Sequence, residues 1–498
     1  MQLNLSQVTF TYPESAQPIL SDITLSLSCG WTGVVGDNGS GKTTLAKLIC
    51  GSLSPDAGAI THSLVCTLCP QDATTTPNQL FDFASAYDQK AIRLRSRLSI
   101  SNDWPWRFDA LSGGERKRVQ IVCALWSKPD VLVMDEPTNH VDGTVRQAIS
   151  HVLSSFDGIG LLISHDRYLL DQLCSKCLFI AHGQATLRQG SWSQASTQAE
   201  LERKATRTMC ENAQRERKRL EDEARRRCEE ASRSASKRSA RHVNPQDRDK
   251  IGKIKLAIYT GKDGIAGHLS SQMQSRLHKL NKQVDSTFVE RRYEAKVWFD
   301  SNVSQRKTLM CLKASSIKMG DGHLLNTPAL SIGNTEHIAL MGDNGIGKTT
   351  LVHKIVSVLD ADTRSCYVPQ ELDENQITTV MERLHGLGEK NLGFVLSAVA
   401  QLNSDPKRIL DSGQPSPGEM RKIMLALGIL DRPYIIIMDE PTNHLDLSSI
   451  EALQRMLSDF PGALLLVSHD TELLQAATSI QWEISRNTSG DATLCVHL

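Results

Sequence analysis

No stretch of this 498-residue chain approaches the ~18 consecutive apolar residues that a membrane-spanning helix needs. The apolar runs that exist, such as Val131-Leu132-Val133-Met134 and Ile435-Ile436-Ile437-Met438, are of strand length. The start, Met1-Gln2-Leu3-Asn4-Leu5, lacks the basic n-region of a signal peptide, so a cytoplasmic location without membrane attachment is expected. There is no net charge either, with 56 basic and 56 acidic residues. Twelve cysteines are scattered through a chain too long to need stapling, as in a reducing compartment. Cys66/Cys69 and Cys174/Cys177 have Cys-x-x-Cys spacing, but no His or Cys follows at finger spacing. Both pairs read as small buried hydrophobes rather than a zinc site.

What the chain does have is an internal repeat. Met134-Asp135-Glu136-Pro137-Thr138-Asn139-His140 returns unchanged at Met438-Asp439-Glu440-Pro441-Thr442-Asn443-His444, 304 positions later. Gly36-Asp37-Asn38-Gly39-Ser40-Gly41-Lys42-Thr43-Thr44 recurs as Gly342-Asp343-Asn344-Gly345-Ile346-Gly347-Lys348-Thr349-Thr350, and Ser164-His165-Asp166 as Ser468-His469-Asp470. Several motifs recurring in one order mean two copies of one module.

Gly36 to Thr43 fits G-x-x-x-x-G-K-[ST], after a buried-strand pattern at Trp31 to Val35 and before a helix running on from Leu45 to Cys50. In that context glycines let backbone N–H groups curl around phosphate oxygens at the positive end of the helix. Lys42 and Lys348 reach the terminal phosphates, and the Thr43 and Thr349 hydroxyls are candidate Mg²⁺ ligands. The second strand of each copy delivers Asp-Glu at its carboxyl end, where open α/β sheets bind ligands. Asp135 and Asp439 are placed to hold Mg²⁺, and Glu136 and Glu440 to orient or deprotonate an attacking water. A solvated turn would explain one acidic pair, but not the identical Pro-Thr-Asn-His that follows both.

Between these motifs stands Leu111-Ser112-Gly113-Gly114-Glu115, opening a helix expected over 116–126. The order of Gly-rich loop, Gln71, Leu-Ser-Gly-Gly-Glu, Asp-Glu and His165 resembles the ATP-binding cassette ATPases. The second copy repeats it with Gln370, Ser416, Asp439, Glu440 and His469. The resemblance implies an α/β fold of two tandem P-loop cassettes that close head to tail, within one monomer, around two ATP molecules. Each phosphate loop would then face the Ser112-Gly113-Gly114 or Ser416-x-Gly418 helix start of the other cassette. By the same resemblance Gln71 and Gln370 sense Mg²⁺ and water, and His165 and His469 contact the γ-phosphate. Two departures stand out. Pro417 replaces a glycine of the second signature and deletes a backbone donor, which a helix's first turn tolerates. Tyr12 is placed to stack on adenine, whereas the second copy offers only Met319, beside Gly320, for weaker apolar contact.

Between residues 200 and 300 there are 25 basic and 16 acidic residues, leaving the remainder of the chain acidic. A basic middle points to a polyanionic partner touched there alone. Leu201, Ala205, Met209, Ala213, Leu220, Ala224, Cys228, Ala231 and Ala235 form one helical seam, and Leu269, Met273, Leu277, Leu280, Val284 and Phe288 another. These predict a helical hairpin whose tip, 242–267, carries His242, Arg248, Lys250, Lys253, Lys255, Tyr259 and Lys262. A solvated spacer is the bland alternative, but a spacer needs neither matched seams nor a basic tip, and folded RNA suits this chemistry. The expected organisation is a cassette at 1–192, a connector at 193–300 and a cassette at 301–498.

Tandem cassettes, no membrane segment, Glu-Pro-Thr-Asn-His-Leu-Asp at Glu440 to Asp446 and a long basic connector resemble the ABC-F family of ribosome-associated ATPases. That likeness implies a ribosome partner, with the connector near rRNA and the P-site tRNA. Only 39 residues separate Gln71 from Leu111, so the arm insertion of housekeeping members is absent. This favours the antibiotic-resistance, ribosome-protecting group, with a housekeeping translation factor as the alternative. A tandem ATPase subunit of a membrane importer would not require the basic hairpin. A DNA-repair ATPase would split one cassette around a much longer coiled coil.

Overall fold

A computed structural model describes every residue except 14, 16, 62, 140, 239–248, 250–271, 273, 274, 277–302, 320, 321, 361, 412–414, 488–490 and 498. The chain divides into two compact units, one of Met1–Ala195 with Arg292–Leu498, the other of Ser196–Arg291.

In the first unit each copy of the repeat builds a predominantly parallel sheet with the same strand order. The N-terminal copy runs Cys66–Cys69, Val131–Asp135, Ile159–Ile163, Gly30–Val35, Cys174–Ala181 and Gln184–Gln189. Its C-terminal counterpart runs Ser365–Val368, Ile435–Asp439, Ala463–Val467, His337–Gly342, Ile480–Arg486 and Ala492–His497, extended by a hairpin. Only the last pairing of each six is antiparallel. Val131–Asp135 and Ile435–Asp439 are buried at every position, the continuous apolar signature of a strand covered on both faces. Register sets Asp135 opposite Ile163 and Asp439 opposite Val467, so each acidic strand ends level with the strand that leads into a histidine motif.

Strand then gives way to loop and helix as the repeat predicts, the helices being Lys42–Ile49 and Lys348–Val358. Gly41 and Gly347 stand at φ +100° and +103°. A Cβ there would sit 2.8 Å from Ile19 Cγ2 in one copy and 2.8 Å from Met319 Sδ in the other, so both backbone and space demand glycine. The signature helices begin earlier than expected, at Gly113 and Pro417 rather than near residue 116. Ser112 and Ser416 are the N-caps, each in a capping box with Glu115 or Glu419. Pro417 occupies the first turn, where no intrahelical N–H is missed, and the helix forms over the full 14 residues. The Cys-x-x-Cys pairs lie in strands, with Cys69, Cys174 and Cys177 buried as read and Cys66 only half-buried.

The second unit holds most of one long helix, Trp192–Arg238. Its less exposed stripe runs through Thr206, Cys210, Ala213, Arg217, Leu220 and Ala224. Leu201, Ala205 and Met209 are exposed, contrary to the single seam expected. The reason is geometric: each four-residue step turns the helix about 40° past a full revolution, so three such steps carry Leu201 some ~120° off Ala213. From Ala213 through Leu220 to Ala224 a seven- and a four-residue step nearly cancel and the expected stripe holds, whereas the side chains of Cys228, Ala231 and Ala235 lie outside the described residues. Arg276 pairs with Glu216 at 3.6 Å. The second seam and the basic tip lie outside the described residues, Asp249, Gln272, Ser275 and Arg276 excepted. Among the described residues no helix is long and apolar enough to cross a membrane.

Candidate active site

Each phosphate loop is closed around its own lysine. Lys42 Nζ donates to the carbonyls of Gly36 (2.7 Å) and Asp37 (3.0 Å), and Lys348 Nζ to those of Gly342 (2.7 Å) and Asp343 (3.2 Å). Both lysines are buried, which lowers their pKa, and neighbouring carboxylates led by Glu136 and Glu440 oppose the shift. Beside them Thr43 Oγ1 donates to Asp135 Oδ2 at 2.9 Å, and Thr349 Oγ1 to Asp439 Oδ2 at 2.7 Å. A hard cation preferring oxygen ligands fits this pair, and Mg²⁺ keeping several waters fits best. Gln71 and Gln370 line the same cleft. Thr44 adds a contact from its hydroxyl to Tyr12 Oη, at 3.2 Å.

Glu136 and Glu440 sit in left-handed backbone at φ 48° and 47°, each tied by its N–H to the last carbonyl of the adjacent strand at 2.8 Å. That bend carries the side chain off the strand end and into the cleft. One oxygen, Oε1, is buried without a protein hydrogen bond in both copies. His165 Nε2 lies 3.4 Å from Glu136 Oε1, and His469 Nε2 lies 3.5 Å from Glu440 Oε1. Burial, then Asp135, raises the Glu136 carboxyl, and burial raises Glu440 to about 7. The same burial, then the neighbouring lysine, lowers His165 and takes His469 to about 4. The contact is thus between a neutral imidazole and an easily protonated carboxyl, not an ion pair.

The two copies of the repeat meet across a cleft of about 960 Å³. From the first come Tyr12, Lys42, Thr43, Gln71, Glu136 and His165; from the second come Ser416, Pro417, Gly418, His444 and Asp446. Head-to-tail facing at the Lys42 loop is therefore the observed arrangement. Asn38 N–H donates to Asp446 Oδ2 (3.2 Å) and Asn38 Nδ2 to the His444 carbonyl (3.0 Å). Ser448 Oγ donates to Asp37 Oδ1 at 2.5 Å. Burial would raise Asp446, but Lys422 and donors from Ser449 and Asn38 hold it below the usual carboxylate range. Gly418 cannot be larger, because a Cβ there would meet the His444 carbonyl at 2.5 Å. Asn344, Gly345, Gln370, Glu440 and His469 border the cleft, whereas Ser112, Gly113, Gly114 and Lys348 do not line it.

Two expectations need correction. Met319 is buried in the core beneath Gly347, with its sulfur wedged against the loop, so it offers no face to adenine. Ile346 likewise turns its side chain into the core and leaves only backbone to the loop, while Ser40 keeps a buried hydroxyl without a partner. Sequence reasoning also missed two buried cations at equivalent places. Lys117 Nζ donates to the carbonyls of Pro70, Gln71 and Asp135, and Arg421 to those of Gln370, Glu440 (3.2 Å) and Asn443 (2.7 Å). Each ties the glutamine loop, signature helix and acidic strand together. A charge on the apolar face of the signature helix was the available signal.

Two phosphate loops, each with its signature helix, acidic strand and histidine, make this chain an ATP-binding cassette ATPase. The family model described as "ABC transporter" matches residues 20–139 and 325–443. The relatives that the chain matches are ABC-F proteins. It is 27% identical to the Ribosome protection protein VmlR of Bacillus subtilis (strain 168), over 96% of this chain and 86% of that one. It is 24% identical to the Erythromycin resistance ATP-binding protein MsrA of Staphylococcus epidermidis, over 92% and 93%. Against the Energy-dependent translational throttle protein EttA of Mycobacterium tuberculosis the identity is 27%, over 93% and 88%. Among solved structures, an archaeal ribosome recycling factor, aABCE1, in complex with the ribosomal stalk protein aP1, superposes with a TM-score of 0.65. It covers 98% of this chain and 89% of that one at 17% identity, a likeness of fold.

Proposed function

We propose that this ATPase binds the ribosome in its ATP-bound state and acts near the P-site tRNA and peptidyl-transferase centre, protecting translation from antibiotics. The observation that carries this reading is the facing of the Lys42 loop and the Ser416–Gly418 helix start within one chain, with a basic segment inserted between the cassettes. ATP in that cleft joins the cassettes, and the segment 193–300 supplies the Lys and Arg that meet rRNA and tRNA phosphates. The protein works as a monomer in the cytoplasm, its cassettes closing on each other.

In the sites themselves Lys42 and Lys348 hold the terminal phosphates, with the helix starts at Ser112-Gly113-Gly114 and Ser416-Pro417-Gly418 opposite them. Thr43, Asp135 and Gln71, and Thr349, Asp439 and Gln370, would hold Mg²⁺, which would supply positive charge against the phosphate oxygens. Glu136 and Glu440 receive the attacking water, His165 and His469 face the γ-phosphate, and Tyr12 stacks on adenine. The likeness to EttA keeps a second reading, a general translation factor, in view.

Replacing residues 243–266 with a short Gly/Ser turn separates connector from cassettes. Basal ATP hydrolysis should persist, since no cassette residue changes, while co-sedimentation with ribosomes in ATP weakens and protection in a susceptibility panel disappears. Protection that survives the replacement would reduce the tip to a spacer. Ribosome binding with no change in any drug susceptibility would favour the general factor.

A further inference from the structure

Arg146 is assigned by none of the motifs. It lies four residues after Asp142, in the helix Gly143–Leu153, with its side chain only 13% exposed. Through Nη2 it donates to the backbone carbonyl of His469 in the opposite cassette. Its Nε stands 3.5 Å from Asp166 Oδ2 in its own cassette. Asp166 directly follows His165 and caps the helix Arg167–Leu173 by accepting from Leu169 N–H at 3.2 Å. One guanidinium therefore bridges the two histidine loops.

The bridge runs in one direction. In the second copy the position of Arg146 is Ile450, buried at 2% exposure and without a donor. Nothing equivalent reaches back to the His165 carbonyl from that position. The ring of His469 is the better furnished of the two, with Nε2 at 3.1 Å from both Lys348 Nζ and Asn344 Oδ1. His165 Nδ1, in contrast, is buried without a partner. A planar guanidinium with several donors is the side chain suited to holding a carbonyl and a carboxylate at once.

We propose that Arg146 is a positioning residue, supplied in trans, that holds the loop of His469 for ATP hydrolysis at the Lys348 site and ties that loop to Asp166 beside the Lys42 site. The proposal rests on the reading that His469 faces the γ-phosphate. It explains how one ATP site would respond to the state of the other: movement of the loop 164–166 pulls on the same guanidinium that fixes His469.

Single-turnover hydrolysis of ATP tests it, with Glu136→Gln protein reporting the Lys348 site and Glu440→Gln protein reporting the Lys42 site. Arg146→Ala should slow the Lys348 site about tenfold or more at saturating ATP, the loss of one charge-assisted hydrogen bond, with the half-saturating ATP concentration changed less than about twofold. The Lys42 site should slow by less than about threefold, and Arg146→Lys should recover part of the loss. Equal slowing of both sites, or a change confined to half-saturation, would overturn the proposal. If Arg146→Ala fails to fold, Arg146→Lys against wild type carries the same comparison, and an unaltered Lys348 site there is the overturning result. His469→Ala separates the two readings: if it leaves the Lys348 site active, the role of His469 falls, whereas its loss alongside an unaffected Arg146→Ala sinks only the inference.

Discussion

The Lys42 and Lys348 sites are made from nearly the same letters and differ at their edges. Inside each, lysine, threonine, aspartate, glutamate and histidine hold matching distances, because strand registers and left-handed glutamates place them alike. Around the Lys42 loop stand Tyr12, an unpartnered Ser40 hydroxyl, the Pro417-bearing helix and a hydrogen-bonded seal from Asp446 and Ser448. Around the Lys348 loop the corresponding ring is a buried methionine, the serine is an isoleucine, and the trans contact is Arg146 on His469. Duplication thus preserved the chemistry and let the surroundings diverge. A site is tuned by what approaches from the other cassette as much as by its own motif.

The comparison breaks most completely if both glutamates are neutralised. Glu136→Gln with Glu440→Gln should cut hydrolysis by at least about a hundredfold while ATP binding persists, since phosphate and metal ligands are untouched. The double variant should pellet with ribosomes in ATP and inhibit translation; a freely cycling protein would count against the assigned roles. Taken singly the two changes should differ. The Pro417 defect acts where charge develops in the transition state, whereas a missing adenine ring weakens ground-state binding. Glu440→Gln should therefore lower kcat more than Glu136→Gln, with the Lys348 site needing more ATP. Equal or reversed losses would mean that Pro417 leaves the phosphate contacts unharmed.

Exchanging the signature residues sharpens the point. Pro417→Gly restores a donor at the Lys42 site and should speed it by about tenfold if that N–H faces phosphate. Gly113→Pro is the mirror change, at a first-turn position where an added Cβ meets nothing within 4 Å, so it should fold and slow the Lys348 site. A pair of changes with no effect would locate the phosphate contact elsewhere.

The smallest effect is on stability without nucleotide. Glu440, raised to about 7, makes the native state bind a proton that the unfolded chain releases above about 4.5, so its contribution is lost as pH rises through 7. His469, lowered to about 4, does the reverse, and its contribution is lost as pH falls from about 6.5 through 4. The two nearly cancel between pH 4.5 and 6.5. Wild type should show a flatter thermal stability there than either variant. His469→Ala should lose stability as pH rises, and Glu440→Gln as pH falls, by up to the order of 3 kcal/mol. Parallel slopes in all three proteins would refute the neutral-pair description.

The sequence by itself determined the two cassettes, their strand–loop–helix grammar and the chemical parts at their centres. A phosphate loop is a local object: Gly41 and Lys42 are bound by spacing to the strand before and the helix after, and Asp135-Glu136 by the end of one buried strand. Adjacency in the chain is enough to define such things. The seam through Leu201 and Met209 was misplaced because a count of four-residue steps ignores their accumulated rotation. What only the tertiary structure decided is how distant segments answer one another. Nothing in the letters says that Met319 lies under Gly347, that Asp446 caps Asn38 from 408 positions away, or that Arg146 reaches the carbonyl of a residue 323 positions on. Those contacts depend on how two sheets and their loops meet face to face, and packing between surfaces distant in sequence leaves no periodic trace in a single chain.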